Sequence, residues 1–441
     1  MMILLNFLLV LPEIIASVLT LISPLIPNTV IGAFVVIAIA KLFFELRLDL
    51  DSDFKATLLM IATSLFYDTG LMLKFLSGDA SSVSDLKESF ISVSLGVFIG
   101  FVTCKLIYSE LIQRMNSSKL SVLSFRSAII LNIVIFFLYL VRHTDNGDGS
   151  IFIIGGLTFQ LPELLKLELI VYSYIASLLI AKDRRGIVLL YIPAALVVAI
   201  ICVEFKEFGS TLLTIYFTLI VGFLLAIMAQ KHKIIKGHFT KMWNVVTSSK
   251  LPLSLGSIFF IFIGMLKRIL FYQYPVRGEA GEYLYRDDDG KIDKMFGISS
   301  RLSADAAQIH SAIESFKVTW PIQLNLNTEL SIPNATPKTA VADYAFVVVA
   351  QAFGKYVAPL LFILFAVCLI ASVWRRGDFL AKAGVTMLLL QIFVQLSGIV
   401  LHFCFTGLTI PFLSAGGSST LSSFAIFTFI LYSIRRHENE K

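Results

Sequence analysis

Asp343 stands in the run Thr339-Ala340-Val341-Ala342-Asp343-Tyr344-Ala345-Phe346, a lone acid among apolar neighbours. Apolar surroundings make a carboxylate a better proton acceptor, so this side chain can serve as a general base toward a hydroxyl nucleophile. The same residue can also cap a helix. In Phe159-Gln160-Leu161-Pro162-Glu163-Leu164-Leu165-Lys166, Glu163 and Lys166 stand three apart and share one helix face. Pro162 suits a helix start, where its missing N–H is not needed. This element reads as a capped helix with a neutralising ion pair or as a pair of binding charges. Glu204-Phe205-Lys206-Glu207-Phe208-Gly209-Ser210 places two carboxylates in a very short turn, able to hold a cation or a sugar or merely to face water. In Thr406-Gly407-Leu408-Thr409-Ile410-Pro411-Phe412-Leu413-Ser414-Ala415-Gly416-Gly417-Ser418-Ser419, Pro411 and the glycine pair interrupt a helix. Ser418 or Ser419 can cap the next one. That segment is an ordinary re-entry turn or, with free N–H groups beside glycine, a seat for an anion such as a diphosphate.

These residues sit in a chain of 441 residues that is 57% hydrophobic and 15% charged, with 38 Phe. Soluble domains carry roughly 45–50% apolar and about 25% charged residues. A water-soluble globule could not hide this much apolar surface, which excludes a soluble enzyme, a disordered chain, a collagen-like fibre and a nucleic-acid-binding module. The expected fold class is all-α, a polytopic integral membrane protein. About twelve stretches reach the roughly 20 apolar residues a bilayer crossing needs: 2–26, 28–46, 56–77, 89–112, 122–141, 163–181, 186–203, 209–229, 252–272, 345–373, 379–405 and 418–434.

The net charge of +6 is topogenic. Lys and Arg concentrate in segments 47–55, 113–121, 182–185, 230–250, 375–378 and 435–441, whereas the short loops opposite hold Lys87, Arg142 and Lys206. The positive-inside rule then puts both termini in the cytoplasm and the long loop 273–340, with its run Arg286-Asp287-Asp288-Asp289-Gly290, outside. Ionisable residues inside spans are expensive and are functional-site hypotheses by default. Lys41, Glu45, Lys74, Lys105, Glu110, Lys267 and Arg268 lie near span ends, where long side chains reach the headgroups. Asp68 is deeper and has no such account. His402 is expected to be a hydrogen-bonded packing residue. Cys104, Cys202, Cys368 and Cys404 lie in or beside apolar runs without CxxC spacing and read as small buried hydrophobes.

In this order the motifs resemble the SEDS family (shape, elongation, division and sporulation), the FtsW, RodA and SpoVE type of peptidoglycan polymerase. The segment 406–419 resembles that family's last signature. Phe159–Lys166 resembles its Gln-Pro-Ser-Glu-Leu-x-Lys element, and Lys206–Ser210 its Pro-Asp-Leu-Gly-Thr turn, with Glu207 in the acidic position. Val341–Phe346 resembles the stretch with the family's proposed catalytic aspartate, Gly354 standing at the matching distance beyond. Gln308, in Ala307-Gln308-Ile309-His310-Ser311, matches part of the external loop. The resemblance covers roughly 56–436, about ten spans, and leaves 1–55 as an added N-terminal pair beside a core of 56–441. The chain departs from the pattern at Val341, Ala342, Gln351, Ala352 and Ala415, near Leu396–Gly398, and in the absence of a glycine-rich run near Phe316–Leu330.

The resemblance implies a glycosyltransferase that polymerises a lipid-II-like disaccharide at the outer face of a bacterial cytoplasmic membrane, for cell shape or division. Asp343 would be catalytic. Glu163, Lys166, Glu207, Gln308, Ser414, Gly416, Gly417 and Ser418 would bind the polyprenyl-diphosphate-linked glycan. Lys166, the helix start near Ser418 or a divalent cation would offset the diphosphate charge. The implied partner is a class B penicillin-binding transpeptidase. A flippase or transporter of the same precursor, and a membrane subunit without catalysis, are compatible with the same residues.

Overall fold

The computed structural model describes residues 2–23, 26–27, 29–48, 54–77, 83–146, 151–154, 157–182, 208–231, 275–277, 283–285, 308, 311–326, 330–333, 335, 340, 343–373, 377–400, 408–414 and 417–439. Its helices are α1 (Met2–Ile22), α2 (Thr29–Leu48), α3 (Phe54–Leu76), α4 (Val83–Ile107), α5 (Glu110–Arg114), α6 (Ser117–Asn146), α7 (Leu161–Lys182), α8 (Phe208–Lys231), α9 (Ala345–Phe353), α10 (Val357–Val373), α11 (Phe379–Val400) and α12 (Gly417–Asn439). The architecture is all-α, and the chain is a polytopic membrane protein. Two short antiparallel hairpins, unforeseen from hydropathy, interrupt it: β1 (Ile151–Ile154) with β2 (Leu157–Gln160), and β3 (Pro275–Arg277) with β4 (Tyr283–Tyr285). The expected spans 186–203 and 252–272 lie outside the described residues. Among those residues, Ala56–Leu76, Ser89–Arg114, Phe379–Val400 and Gly417–Arg436 are each long and apolar enough to cross a membrane.

The chain divides into two compact units. The first comprises Met1–Ile91, Met265–Ser372 and Gln391–Thr420. Here α1 packs on α2 and α3. Phe66 of α3 stacks on Phe365 at 4.2 Å and meets Phe362 edge-on at 5.2 Å, Phe346 of α9 reaches Phe362 at 5.4 Å, and Phe412 reaches Phe365 at 5.9 Å. Offset and edge-to-face geometries are the favoured ones for aromatic rings. On α10, Leu360, Ile363, Leu364, Val367 and Ile370 are exposed at helical spacing, a face suited to lipid.

The stretch 345–373 was expected as one span; α9 and α10 are instead bent by 118°. Gly354 causes the break, with a φ of +109° that an L side chain rarely adopts. A Cβ there would also stand 2.6 Å from the Pro321 carbonyl oxygen. A helix end inside a membrane protein must have its orphan carbonyls satisfied by protein or water. The amides of Gln323 and Asn325 donate to the carbonyls of Phe353 and Ala352 (3.1 and 2.8 Å), while Lys355 and Tyr356 donate theirs to Trp320 and Pro321 (3.0 and 3.2 Å). The end of the long loop thus seals the break.

The second unit comprises Ser92–Gly264, Val373–Leu390 and Leu421–Lys441. In it α7 packs on α6 and α8. Asp378 caps α11 through the amides of Leu380 and Ala381 (2.9 and 3.3 Å) and accepts the Ser433 hydroxyl of α12 at 2.5 Å. Tyr108 also donates to Asp378, and the Arg436 guanidinium lies 4.4 Å from the Tyr108 ring centroid.

Cys104 is buried, and Cys368 is half-buried on α10 with a free thiol; Cys202 and Cys404 lie outside the described residues. The strain assigned to Gly354 is measurable. Gly354→Ala should cost about 1–3 kcal/mol, read as a lower unfolding midpoint of the detergent-purified protein. An unchanged midpoint would show that the bend does not need glycine.

Candidate functional site

In the first unit, Asp343 is half-buried and stands just before α9, whose N-cap residue is Tyr344 with no side-chain cap. The helix-cap alternative for Asp343 is therefore corrected: the helix begins one residue too late for it. What fixes the backbone at this point is Gln395 of α11. Its Nε2 donates to the carbonyl of Asp343 and to that of Leu408, the latter at 2.7 Å. One buried amide thus joins the acid's backbone to the start of the 408–414 turn. A side chain holding two chain segments in this way keeps the acid in place through its backbone.

The turn itself follows from local chemistry. Ser414 Oγ accepts the Ile410 amide at 2.7 Å, and the Ser414 amide returns to the Ile410 carbonyl at 3.0 Å. Between them Phe412 is forced to a φ of 65°, a conformation that costs a bulky residue energy and persists only when its surroundings fix it. The buried ring among Phe365 and its neighbours supplies that constraint. Gly70 of α3 lets the turn approach, since a Cβ there would lie 2.2 Å from the Leu413 oxygen. Ser414, predicted to bind substrate, thus has its hydroxyl engaged in its own turn. The predicted cap at Ser418 or Ser419 is also corrected: α12 starts at Gly417, so both serines lie inside its first turn, buried. Gly417 is half-buried, and Gly416 lies outside the described residues. Gln308 is half-buried ahead of the helical residues 311–318, whose Phe316 ring lies 5.4 Å from that of Phe346.

In the second unit, β2 runs straight into α7, so Glu163 and Lys166 fall in the helix's first two turns. They pair as their spacing requires, Nζ to Oε1 at 2.5 Å, both side chains buried. Ser422 of α12 donates to the other Glu163 oxygen at 2.5 Å. A buried charge pair of this kind is tolerable because its geometry is close and its remaining lone pairs are bonded. Glu168, on the same helix, accepts the Asn132 amide of α6 at 2.9 Å. Glu207 lies outside the described residues.

Sequence reasoning missed Gln395, Ser422, Glu168 and Glu13. Gln391 and Gln395, four apart in an apolar run, were a visible signal, as was Glu13 beside Pro12 within the first span. Lys41 and Lys74, expected to reach the headgroups, are buried in protein. Lys41 donates to Glu13 instead of snorkelling. Lys105 and Glu110 are exposed as expected, Glu110 paired with Arg114 at 3.0 Å. The side chain of Glu45, and Lys267, Arg268 and His402 altogether, lie outside the described residues. Among the described residues no group of three or more His, Cys, Asp or Glu could hold a metal ion.

If the Glu163–Lys166 pair acts as a unit, Lys166→Met should cost about 3–5 kcal/mol by leaving a carboxylate buried without its cation. Glu163→Gln with Lys166→Met should recover most of that loss. A double-mutant cycle on thermal unfolding measures the coupling; additive single losses would dismiss the pairing as a stabilising contact.

Residues 337–440 match the family model FtsW/RodA/SpoVE, described as cell cycle protein. A comparison with the curated proteins finds no match. Among solved structures, the chain is similar to a subunit of a peptidoglycan synthase complex that coordinates polymerization and crosslinking, at 18% identity and a TM-score of 0.53, over 86% of this chain and 97% of that one. It is also similar to the rod shape determining protein RodA of Thermus thermophilus, at 18% identity and a TM-score of 0.48, over 86% of this chain and 95% of that one. The chain thus shares its fold with a solved subunit of a peptidoglycan synthase complex, and its C-terminal segment, residues 337–440, is similar to the FtsW/RodA/SpoVE family.

Proposed function

We propose that this chain is a cell-wall glycosyltransferase that polymerises a polyprenyl-diphosphate-linked disaccharide of the lipid II kind. In the proposed step a hydroxyl of the acceptor sugar attacks the anomeric carbon of the donor. The new C–O bond forms as the bond from that carbon to the diphosphate breaks. Asp343 takes the hydroxyl proton, and the lipid diphosphate leaves with the electron pair. The observation that carries this reading is the placement of Asp343: half-buried, one residue ahead of the N-cap of a buried half-helix, and tied through Gln395 to the Gly-Ser turn. It falls inside the family-matched segment.

The diphosphate charge is offset by Lys166, by the start of α12 near Ser418, or by a divalent cation; preorganised positive groups of this kind are commonly the largest catalytic contribution. Glu163 orients the Lys166 ammonium. Glu207, Gln308, Ser414, Gly416 and Gly417 complete the proposed binding set. The proposed setting is the bacterial cytoplasmic membrane, with both termini inside and the loop 273–340 outside, following the distribution of Lys and Arg. The proposed division is an added pair, 1–55, before a SEDS-like core, 56–441. A partner transpeptidase is proposed because the similar synthase complex couples polymerization to crosslinking.

The test uses purified protein in lipid vesicles with labelled lipid II, with and without a class B penicillin-binding transpeptidase and with and without a chelator of divalent cations. Wild type should yield glycan polymer resolved by chain length, and Asp343→Ala should lose about 10²–10⁴-fold in rate, the usual contribution of a general base. Labelled lipid crossing the bilayer without polymer would replace the enzyme with a transporter. Neither activity, with the transpeptidase still bound, would leave a non-catalytic subunit.

A further inference from the structure

The N-terminal helices carry buried charges that the glycosyl-transfer reading does not use. Glu13 of α1, Lys41 of α2 and Ser64 of α3 form a closed set. The Lys41 ammonium donates to both Glu13 oxygens (2.8 and 3.0 Å) and to Ser64 Oγ (2.7 Å), and the Ser64 hydroxyl donates to Glu13 Oε1 at 2.7 Å. An ammonium has three donors, and these contacts use them. Asp68 stands one helical turn beyond Ser64 on α3, 1% exposed, within electrostatic reach of both Glu13 and Lys41. Among the described residues neither of its carboxylate oxygens has a hydrogen-bond partner.

The charges do not balance. Two carboxylates face one ammonium whose protons are already committed, at a seam of apolar helices. A buried charge persists only when paired and hydrogen-bonded. Among the described residues packed on this part of α3, α9, α10 and the turn 408–414 contain no Asp, Glu, Lys, Arg or His. On α3, Tyr67 is within reach of Asp68 but its hydroxyl is bonded to Ser89, and Lys74 lies a turn and a half further along. We propose that Asp68, with Glu13 and Lys41, forms a binding site for one monovalent positive charge, a proton or a sodium ion, between the first three helices. Intramembrane carboxylates of this kind mark proton and ion pathways, so the added helix pair makes the protein responsive to a cation as well as to its substrate. The Glu13–Lys41–Ser64 set holds the walls of the site, and Asp68 is the ligand.

Full-length protein in nanodiscs would be melted across a pH series, in sodium chloride or in choline chloride of equal ionic strength. Binding to the native state raises the midpoint. Wild type should gain about 2–4 °C on occupation of the site, and Asp68→Asn, which keeps the shape and removes the charge, should lose that gain. A parallel reaction with dicyclohexylcarbodiimide, read by peptide mass spectrometry, needs no variant. If the ligand is a proton, Asp68 is labelled regardless of sodium and only pH moves the midpoint. If it is sodium, sodium raises the midpoint and shields Asp68 from label. An Asp68 that stays unlabelled at every pH without sodium overturns the proposal. So does an Asp68→Asn protein that responds to both ions as wild type does.

Discussion

A break in a helix at membrane depth exposes amides and carbonyls that lipid cannot satisfy, and the first unit is organised around one such break. At Gly354 the chain turns by 118° between α9 and α10, and residues 320–326 supply the donors and acceptors that the broken helix lacks. The upstream end of α9 meets the same requirement by other means, because Gln395 spans the carbonyls of Asp343 and Leu408. Both ends of the buried half-helix are thereby held by side chains and backbone from distant parts of the sequence. The position of Asp343 follows from these contacts.

The charged groups inside the helices obey a related rule with two outcomes. Glu163, Lys166 and Ser422 make a small network in which ammonium, carboxylate and hydroxyl satisfy one another. Its cost of desolvation is offset locally, so it can hold a helix start in place. The Glu13–Lys41–Ser64 set is also closed, yet Asp68 beside it is not. A closed network stabilises a structure; an open one needs something from outside. That difference separates a structural ion pair from a site.

Much of this was legible in the sequence, and where it failed the reason is physical. Hydropathy marked the apolar stretches in which most of the described helices fall, because a bilayer demands about 20 apolar residues in a row. The three-residue spacing of Glu163 and Lys166 fixed their pairing because it needs only helical geometry. Spacing could not find Ser422, since its contact to Glu163 crosses 259 positions of sequence. Nor could it find the break at Gly354, because glycine is common in membrane helices and only the tertiary contact at Pro321 makes this one obligatory. Lys41 was misread for a related reason: a lysine near a span end snorkels when it faces lipid and pairs when it faces a carboxylate, and the orientation of α2 against α1 decides which. That Ser414 Oγ also accepts the Ile410 amide depends on the shape of the turn, which spacing does not give.

The departures from the family pattern after Asp343 also have a structural logic. Where the resemblance expects paired glutamates, this chain has Gln351 and Ala352. The Gln351 amide donates to the Ser331 carbonyl at 3.0 Å, and its own carbonyl accepts the side-chain amide of Gln323. An ionised glutamate could not make the first of these bonds, since it has no proton to give. Ala352 is buried with its carbonyl bonded to Asn325, at a place too crowded for a long charged side chain. The neighbouring stretch Phe316–Leu330 lacks the glycine-rich run that the resemblance expects there. Gln351 and Ala352 of α9 thus hold Gln323, Asn325 and Ser331 against the half-helix.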